Sequence, residues 1–223
     1  TNGTRCDFIT LAARTDPDNH HGGISLFTFP TDVRGFGVSR KLEKLGNWAS
    51  DTAEIFFDEC RIPARYLLGN EGHGFYYIMT NFQGERLIGA LTATSGSQLL
   101  LDRTIAYCKE RKVFGRPVTG FQVSRHKIVD MQIDIEAGRR LAYHAADCFD
   151  RLGNQAVSEI TIAKAFCAEM GCRVATQCLQ LHGGMGYMEE MYPARAFRDT
   201  RLIPIGGGST EVMKEILSKL MNL

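Results

Sequence analysis

An α+β fold is predicted, with strands gathered in the first third of the chain and long helices filling the remainder. Two observations carry this reading. Residues 1 to about 70 hold short runs rich in β-formers between turn-rich stretches. From about Gly74 the apolar residues recur at helical spacing, and short turns join the helical stretches, which suits an up-and-down bundle. Strands first and helices later divide the chain into 1–70, part of a β-domain, and 71–223, a helical bundle.

The predicted strands are DFITLAAR, ISLFTF and TAEIFFDE, separated by DPDNHHGG and TDVRGFG, and Pro63 in CRIPARY ends the pattern. Phe75 to Arg111 is predicted as one long helix or two, closed by Gly115 and Pro117. Phe121 to Leu152 places Ile128, Met131 and Ile135 on one face before Gly153-Asn154. Ala156 to Leu181 does the same with Ile162, Phe166, Met170 and Val174 before Gly183-Gly184. A shorter helix covers part of Glu189 to Arg201. The last runs from about Thr210 to the C-terminus, with Val212, Ile216 and Leu220 on one face. There is no internal repeat and no low-complexity tract.

At 223 residues, 44% hydrophobic and 23% charged, the chain is predicted to be a soluble globular protein. A net charge of +1 without a basic tract gives no electrostatic footprint for nucleic acid or an anionic membrane. No apolar run approaches the roughly 20 residues of a membrane span. The seven cysteines (Cys6, Cys60, Cys108, Cys148, Cys167, Cys172 and Cys178) are odd in number and irregularly spaced. They form no C-x-x-C and no zinc pattern with the six histidines, so reduced, mostly buried thiols and no metal site are expected. That usage fits a cytosolic or matrix-like compartment. The chain opens as TNGTRCDFITLAART without an initiator Met, and reads as a segment of a longer protein, so the lack of a targeting peptide carries no weight.

The most informative residue is a carboxylate where a helix should be apolar. Phe75, Ile78 and Phe82 form a stripe that continues onto Glu85 and resumes at Gly89 and Ala90. A charge facing a core is costly unless paired or protonated, so Glu85 is expected to be buried with a raised pKa, as a general base near neutral pH requires. Gly84 beside it lets a second group come close. The bland alternative is a helix-surface charge next to Arg86.

Three loops suit a ligand. In ERKVFGRP, the cations Lys109, Arg111 and Lys112 either complement a helix C-terminus capped by Gly115, or let Arg111 reach a phosphate while Phe114 packs on a ring. In QLHGGMGY, three glycines permit close approach, but a helix precedes them rather than a strand, so the dinucleotide fingerprint fails its context. In IPIGGGSTEVM, glycines run into a helix start with Ser209 or Thr210 as the N-cap, either as a linker or as free amides for a phosphate or polarised carbonyl. Glu211 in the first turn is explained by the helix dipole alone.

In order and spacing, these pieces resemble the acyl-CoA dehydrogenase family of flavoproteins. TNGTRCDFITLAART is similar to the family's flavin-facing strand and KLGNWASDTAEIFFDECRIP to the end of its β-domain. ERKVFGRPVTGFQ, QLHGGMGYMEEMYPARAFRDTRL and IPIGGGSTEVMKEIL are similar to its C-terminal signatures. The resemblance covers the whole chain and about the last three-fifths of the family's polypeptide. It implies part of a small β-barrel followed by the helical bundle, assembled as a homodimer or homotetramer with FAD near the subunit interface. It also implies α,β-desaturation of an acyl-CoA thioester in fatty-acid β-oxidation, with an electron-transfer flavoprotein as acceptor, in bacterial cytoplasm or mitochondrial matrix.

Position by position, the resemblance places the Thr1 hydroxyl near the flavin N5. It places Arg111, Lys112 and Val113 at the FAD diphosphate, with Val113 lacking the hydroxyl that Thr or Ser gives other members. Phe114 matches an adenine contact, and Phe121 and Gln122 a further FAD contact. Gln180, Leu181, His182, Gly183 and Gly184 match a segment holding the FAD of the neighbouring subunit, and Ser209, Thr210 and Glu211 the last FAD contact. Many members carry a catalytic Glu in the loop before the last helix, where this chain has Gly207. A smaller group, resembling the long-chain and isovaleryl enzymes, carries it on the first long helix just before an Arg. There QGERL places Glu85, so the resemblance and the buried-charge reading converge on one residue. Gln83, Gly84 and Arg86 match the stretch along the thioester arm. Gly207 and Gly208 match substrate contacts, with the Gly207 N–H facing the thioester oxygen. Two rivals stand beside this reading. One is an acyl-CoA oxidase or flavin monooxygenase on the same scaffold; the other is a non-catalytic scaffold subunit, for which the missing loop carboxylate speaks.

Overall fold

The structure is a computed structural model that describes residues 1–19 and 22–223; the part of DPDNHHGG at positions 20–21 lies outside the described residues. The chain forms two compact units, Thr1–Asn81 and Phe82–Leu223.

In the first unit, β1 (Phe8–Arg14) pairs antiparallel with β2 (Ile24–Pro30) from Phe8↔Pro30 to Arg14↔Ile24, and β2 pairs with the short β5 (Leu67–Leu68). Ile9, Leu11 and Ala13 lie on the more buried face of β1, the period of two that the sequence carries. A second sheet pairs β3 (Phe36–Lys41) with β4 (Ala53–Phe57), with a register shift between Val38 and Arg40. Phe29, Phe36 and Phe57 join the two sheets, their ring centroids 5.0–5.6 Å apart. No closed barrel forms among the described residues; the unit holds one three-stranded and one two-stranded sheet. β3 begins inside TDVRGFG, a stretch that the sequence marks as turn. The first unit runs on to Asn81 for a local reason. The Gly72 N–H donates to Ser25 Oγ at 2.9 Å and the Asn70 N–H to Tyr77 Oη at 3.1 Å, so the first turns of α1 (Gly74–Glu110) belong with the strands.

α1 is one continuous helix of 37 residues rather than two. The second unit continues with a hairpin of β6 (Lys112–Val113) and β7 (Arg116–Pro117), then α2 (Gln122–Leu152), α3 (Val157–His182), α4 (Tyr192–Thr200) and α5 (Thr210–Leu220). The helix stops are glycines in the left-handed region, Gly153 at φ 57° and Gly183 at φ 60°. α3 is enclosed by α2, α4 and α5. Its buried face holds Met170 and Val174 of the predicted stripe together with Ile160, Ala163, Lys164, Cys167 and Cys178, whereas Ile162 is exposed and Phe166 half-buried. On α5 the buried residues are Thr210 and Met213, while Val212 and Leu220 are exposed. At Gly138 a Cβ would lie 3.0 Å from Met170 Cε and 3.3 Å from Thr94 Cγ2, so α1, α2 and α3 meet there without a side chain between them.

All seven cysteines are free thiols. Burial pushes the Cys167 thiol up to about 12 and that of Cys178 to about 11, which makes them core residues rather than nucleophiles. No described helix is long and apolar enough to cross a membrane. Leu101 has no solvent exposure in the core of the bundle. Leu101→Ala is therefore expected to lower unfolding free energy by about 2–5 kcal/mol, read from denaturant titration.

Candidate functional site

One end of the bundle is organised around the loop between α4 and α5. Gly207 and Gly208 take φ 67° and 101°, a region open to glycine, and Ser209 caps α5 by accepting from the Val212 N–H at 3.3 Å. Thr210 is not the cap; its hydroxyl donates to Glu169 Oε1 at 2.8 Å. Glu211 has its carboxyl held below the usual range by its own backbone N–H and by the Ser209 hydroxyl.

Two buried cations reach this loop. Arg86 Nε donates to the Gly207 carbonyl at 3.0 Å, and Lys164 Nζ donates to the Gly208 carbonyl. Arg86 is 5% exposed and Lys164 2%. Burial pushes the Arg86 guanidinium down from its usual value, and the neighbouring Glu85 carboxylate pulls it back up. Burial and then the Arg86 charge push Lys164 down, against Glu169 and Glu211. Among the described residues, none of the Gly207, Gly208 and Ser209 N–H groups has an acceptor.

Glu85 itself is exposed, which overturns its expected burial. Successive helical residues turn by about 100°, and the buried face of this turn passes through Gln83, Arg86, Leu87 and Ala90 instead. Phe75, Ile78 and Phe82 are only half-buried. The buried charge on α1 is thus Arg86, one residue on. A Cβ at Gly84 or Gly207 would meet nothing within 4 Å, so the space beside both is open. Gln83 is 7% exposed and its Oε1 is a buried acceptor without a donor among the described residues.

The other end of the bundle gathers the first two of the three loops, the segments that follow α1 and α3. Lys112 to Pro117 forms the β6–β7 hairpin, with Phe114 (φ 50°) and Gly115 (φ 79°) as its two-residue turn, so Gly115 is a hairpin residue rather than a helix cap. Phe114 is 96% exposed, whereas the Arg116 guanidinium lies 3.9 Å over the Phe121 ring. Arg111, Lys112, Gln122 and Gln180 are exposed, Val113 and Leu181 half-buried. His182 is turned inward: its ring stacks on Tyr107 at 4.2 Å and its Nδ1 lies 2.8 Å from the Cys178 carbonyl. Burial lowers its pKa. The Tyr107 hydroxyl donates to the His182 carbonyl at 3.3 Å, so the ends of α1 and α3 are joined there. Gly183 and Gly184 face open space. Along α1, Arg86 and Glu110 are roughly 36 Å apart at 1.5 Å per residue, so the two ends are separate places within one chain. Thr1, in the first unit, is exposed.

Lys164 and Glu169 went unmarked in the sequence. A lysine between Ile160, Ala163 and Cys167 on one helical face carries the same buried-charge signal that pointed to Glu85.

Residues 72–221 match the family described as "Acyl-CoA dehydrogenase, C-terminal domain". The chain belongs to the acyl-CoA dehydrogenase family. It is 40% identical over 223 residues to the pig mitochondrial long-chain specific acyl-CoA dehydrogenase, covering 98% of this chain and 51% of that protein. With an acyl-CoA dehydrogenase of Bacillus subtilis it shares 36% identity over 99% of this chain and 58% of the relative. The crystal structure of an acyl-CoA dehydrogenase from Geobacillus kaustophilus superposes with a TM-score of 0.95 at 41% identity, over all of this chain and 59% of that one. The family chain described here thus spans little more than half the length of the curated relatives it matches.

Proposed function

We propose that the full-length protein is an FAD-dependent acyl-CoA dehydrogenase in which Glu85 removes the α-proton of an acyl-CoA thioester. The observation that carries this is the tie between the Glu85 turn and the loop: Arg86, next to the base, donates to Gly207, and the loop amides are left without acceptors. An α-proton of a thioester is weakly acidic, so a base alone is insufficient, and donors must meet the charge that develops on the thioester oxygen. Gly207, Gly208 and Ser209 supply such donors, and the orphaned Gln83 Oε1 offers an acceptor to the thioester arm. Arg86 is turned to the loop, which suits positioning rather than direct contact with substrate. A bound acyl chain excludes water from around the exposed Glu85 carboxyl.

The residues at the far end fit a dinucleotide. Arg111, Lys112 and Arg116 bring cations suited to a diphosphate, the Phe114 ring stands clear for stacking, and Gly183 and Gly184 leave their backbone accessible. Bound FAD supplies the acceptor for the hydride that leaves Cβ. Because the hairpin and Gly183–Gly184 share one end, roughly 36 Å along α1 from the base, both hold the FAD of a neighbouring subunit, while Ser209–Glu211 serve the chain's own. This makes the enzyme a homo-oligomer, a dimer or tetramer. The exposed apolar strip of Val129 and Ile133 on α2, beside an open groove of about 540 Å³, supplies surface to bury between copies. An electron-transfer flavoprotein takes the electrons onward, and the compartment is the mitochondrial matrix or the bacterial cytoplasm.

The test is anaerobic mixing of the full-length, FAD-loaded protein with straight and branched acyl-CoAs. Bleaching of the flavin absorbance is expected with at least one chain type, and slow reoxidation in air marks a dehydrogenase rather than an oxidase. Bound FAD that no thioester bleaches would move the assignment to the scaffold or monooxygenase readings.

A further inference from the structure

We propose that Arg86 and Lys164 are positioning residues that clamp the Gly207 and Gly208 carbonyls and thereby aim the amides of that loop at the anionic oxygen of the substrate. This deepens the desaturation reading and rests on it. Two like charges buried against one loop repel each other, and a fold seeking only stability gains little from the pairing. The charges of Glu85, at Arg86, and of Glu169 and Glu211, at Lys164, offset part of this repulsion, and both cations give a hydrogen bond to successive backbone carbonyls. In a trans peptide the C=O and N–H point oppositely. Holding the Gly207 carbonyl towards Arg86 turns the Gly208 N–H away from it, and holding the Gly208 carbonyl towards Lys164 does the same for the Ser209 N–H. Those amides have no acceptor among the described residues. A positive charge on the carbonyl side also polarises each peptide group, which strengthens its N–H as a donor. Both carbonyl-bearing residues are glycines in the left-handed region, so the backbone has no side chain to hold it in place and the clamp takes over that task. Thr210, bonded to Glu169 at 2.8 Å on α3, fixes the loop's far side.

The experiment uses full-length, FAD-loaded protein with Lys164→Met, Lys164→Gln and Arg86→Gln. Amide exchange is followed over residues 202–213, where the Gly206 N–H bonds Leu202 O at 2.8 Å and the Thr210 N–H bonds Pro204 O at 3.0 Å. In parallel, the ionisation of a bound 3-oxoacyl-CoA to its enolate is titrated, with kcat and KM for an acyl-CoA. Lys164→Met is expected to speed exchange in this segment by about tenfold. It is also expected to weaken enolate stabilisation and to lower kcat by about tenfold, with KM within about threefold. Lys164→Gln, which keeps a donor, falls between. Wild-type exchange and enolate titration in a folded, flavin-loaded Lys164→Met would overturn the proposal. So would failure of all three variants to hold flavin, which would make the cations elements of folding. If the wild type neither ionises the 3-oxo ligand nor is reduced by acyl-CoA, the desaturation reading fails, and the exchange rates still decide the clamp.

Discussion

Glu85→Gln in the full-length enzyme is expected to keep FAD bound while flavin reduction by acyl-CoA slows by about 100- to 10,000-fold. The amide preserves size and cannot take up a proton. Glu85 is exposed, so the substitution disturbs no packed core. Arg86 beside it is anchored on the Gly207 carbonyl, so the loop keeps its support when the carboxylate is gone. The dinucleotide-fitting hairpin lies at the opposite end of α1. Stopped-flow absorbance under anaerobic conditions measures the effect, and near-wild-type reduction would place the base on another residue.

Mixed oligomers should show the second large effect. If Arg111 meets the FAD diphosphate, as proposed, Arg111→Ala removes a charge-assisted contact and is expected to weaken FAD binding by about tenfold or more. If each site joins Glu85 of one chain with Arg111 of its neighbour, a hybrid of Glu85→Gln and Arg111→Ala subunits holds one site with both residues intact. Co-expression of the two variants with different tags, at equal levels and random pairing, should then recover about a quarter of wild-type activity when assayed at FAD too dilute to load the Arg111→Ala parent. Activity no higher than that of the parents alone would mean that both residues serve the same chain's site, against the separation along α1.

Much of this organisation can be read from residues alone, and the exceptions have physical causes. The alternation of Ile9, Leu11 and Ala13 gives β1, and Gly153 and Gly183 mark helix ends because only glycine sits easily at positive φ there. β3 escapes notice because FGVSRK lacks an apolar alternation, and its pairing with β4 is a distant event in sequence. The buried face of α3 mixes Ile160, Met170 and Val174 with small residues and the cation Lys164, so its apolar stripe is diluted, and its burial is decided by the helices packed against it. On α1 the apolar stripe points to the turn that carries a buried charge, but the buried residue is Arg86 and not Glu85. Periodicity fixes a helical face only to within a residue, and one residue is about 100° of rotation. The three glycine-bearing loops suit a ligand on local grounds, but nothing local says that the first two share one end of the bundle. That follows from the stacking of Tyr107 on His182.

The left-handed backbone at Gly207 also bears on how the base position changes through descent. There is room for a Cβ at 207, so sterics alone would admit a side chain. The φ of 67° penalises any L-residue by about 1–2 kcal/mol before a new carboxylate does anything useful. With Glu85 in place, a first mutation at 207 therefore loses stability and gains no second function. With Glu85 as the base, as proposed, the backbone at 207 resists the return of a loop carboxylate, and the glycine keeps the two arrangements apart.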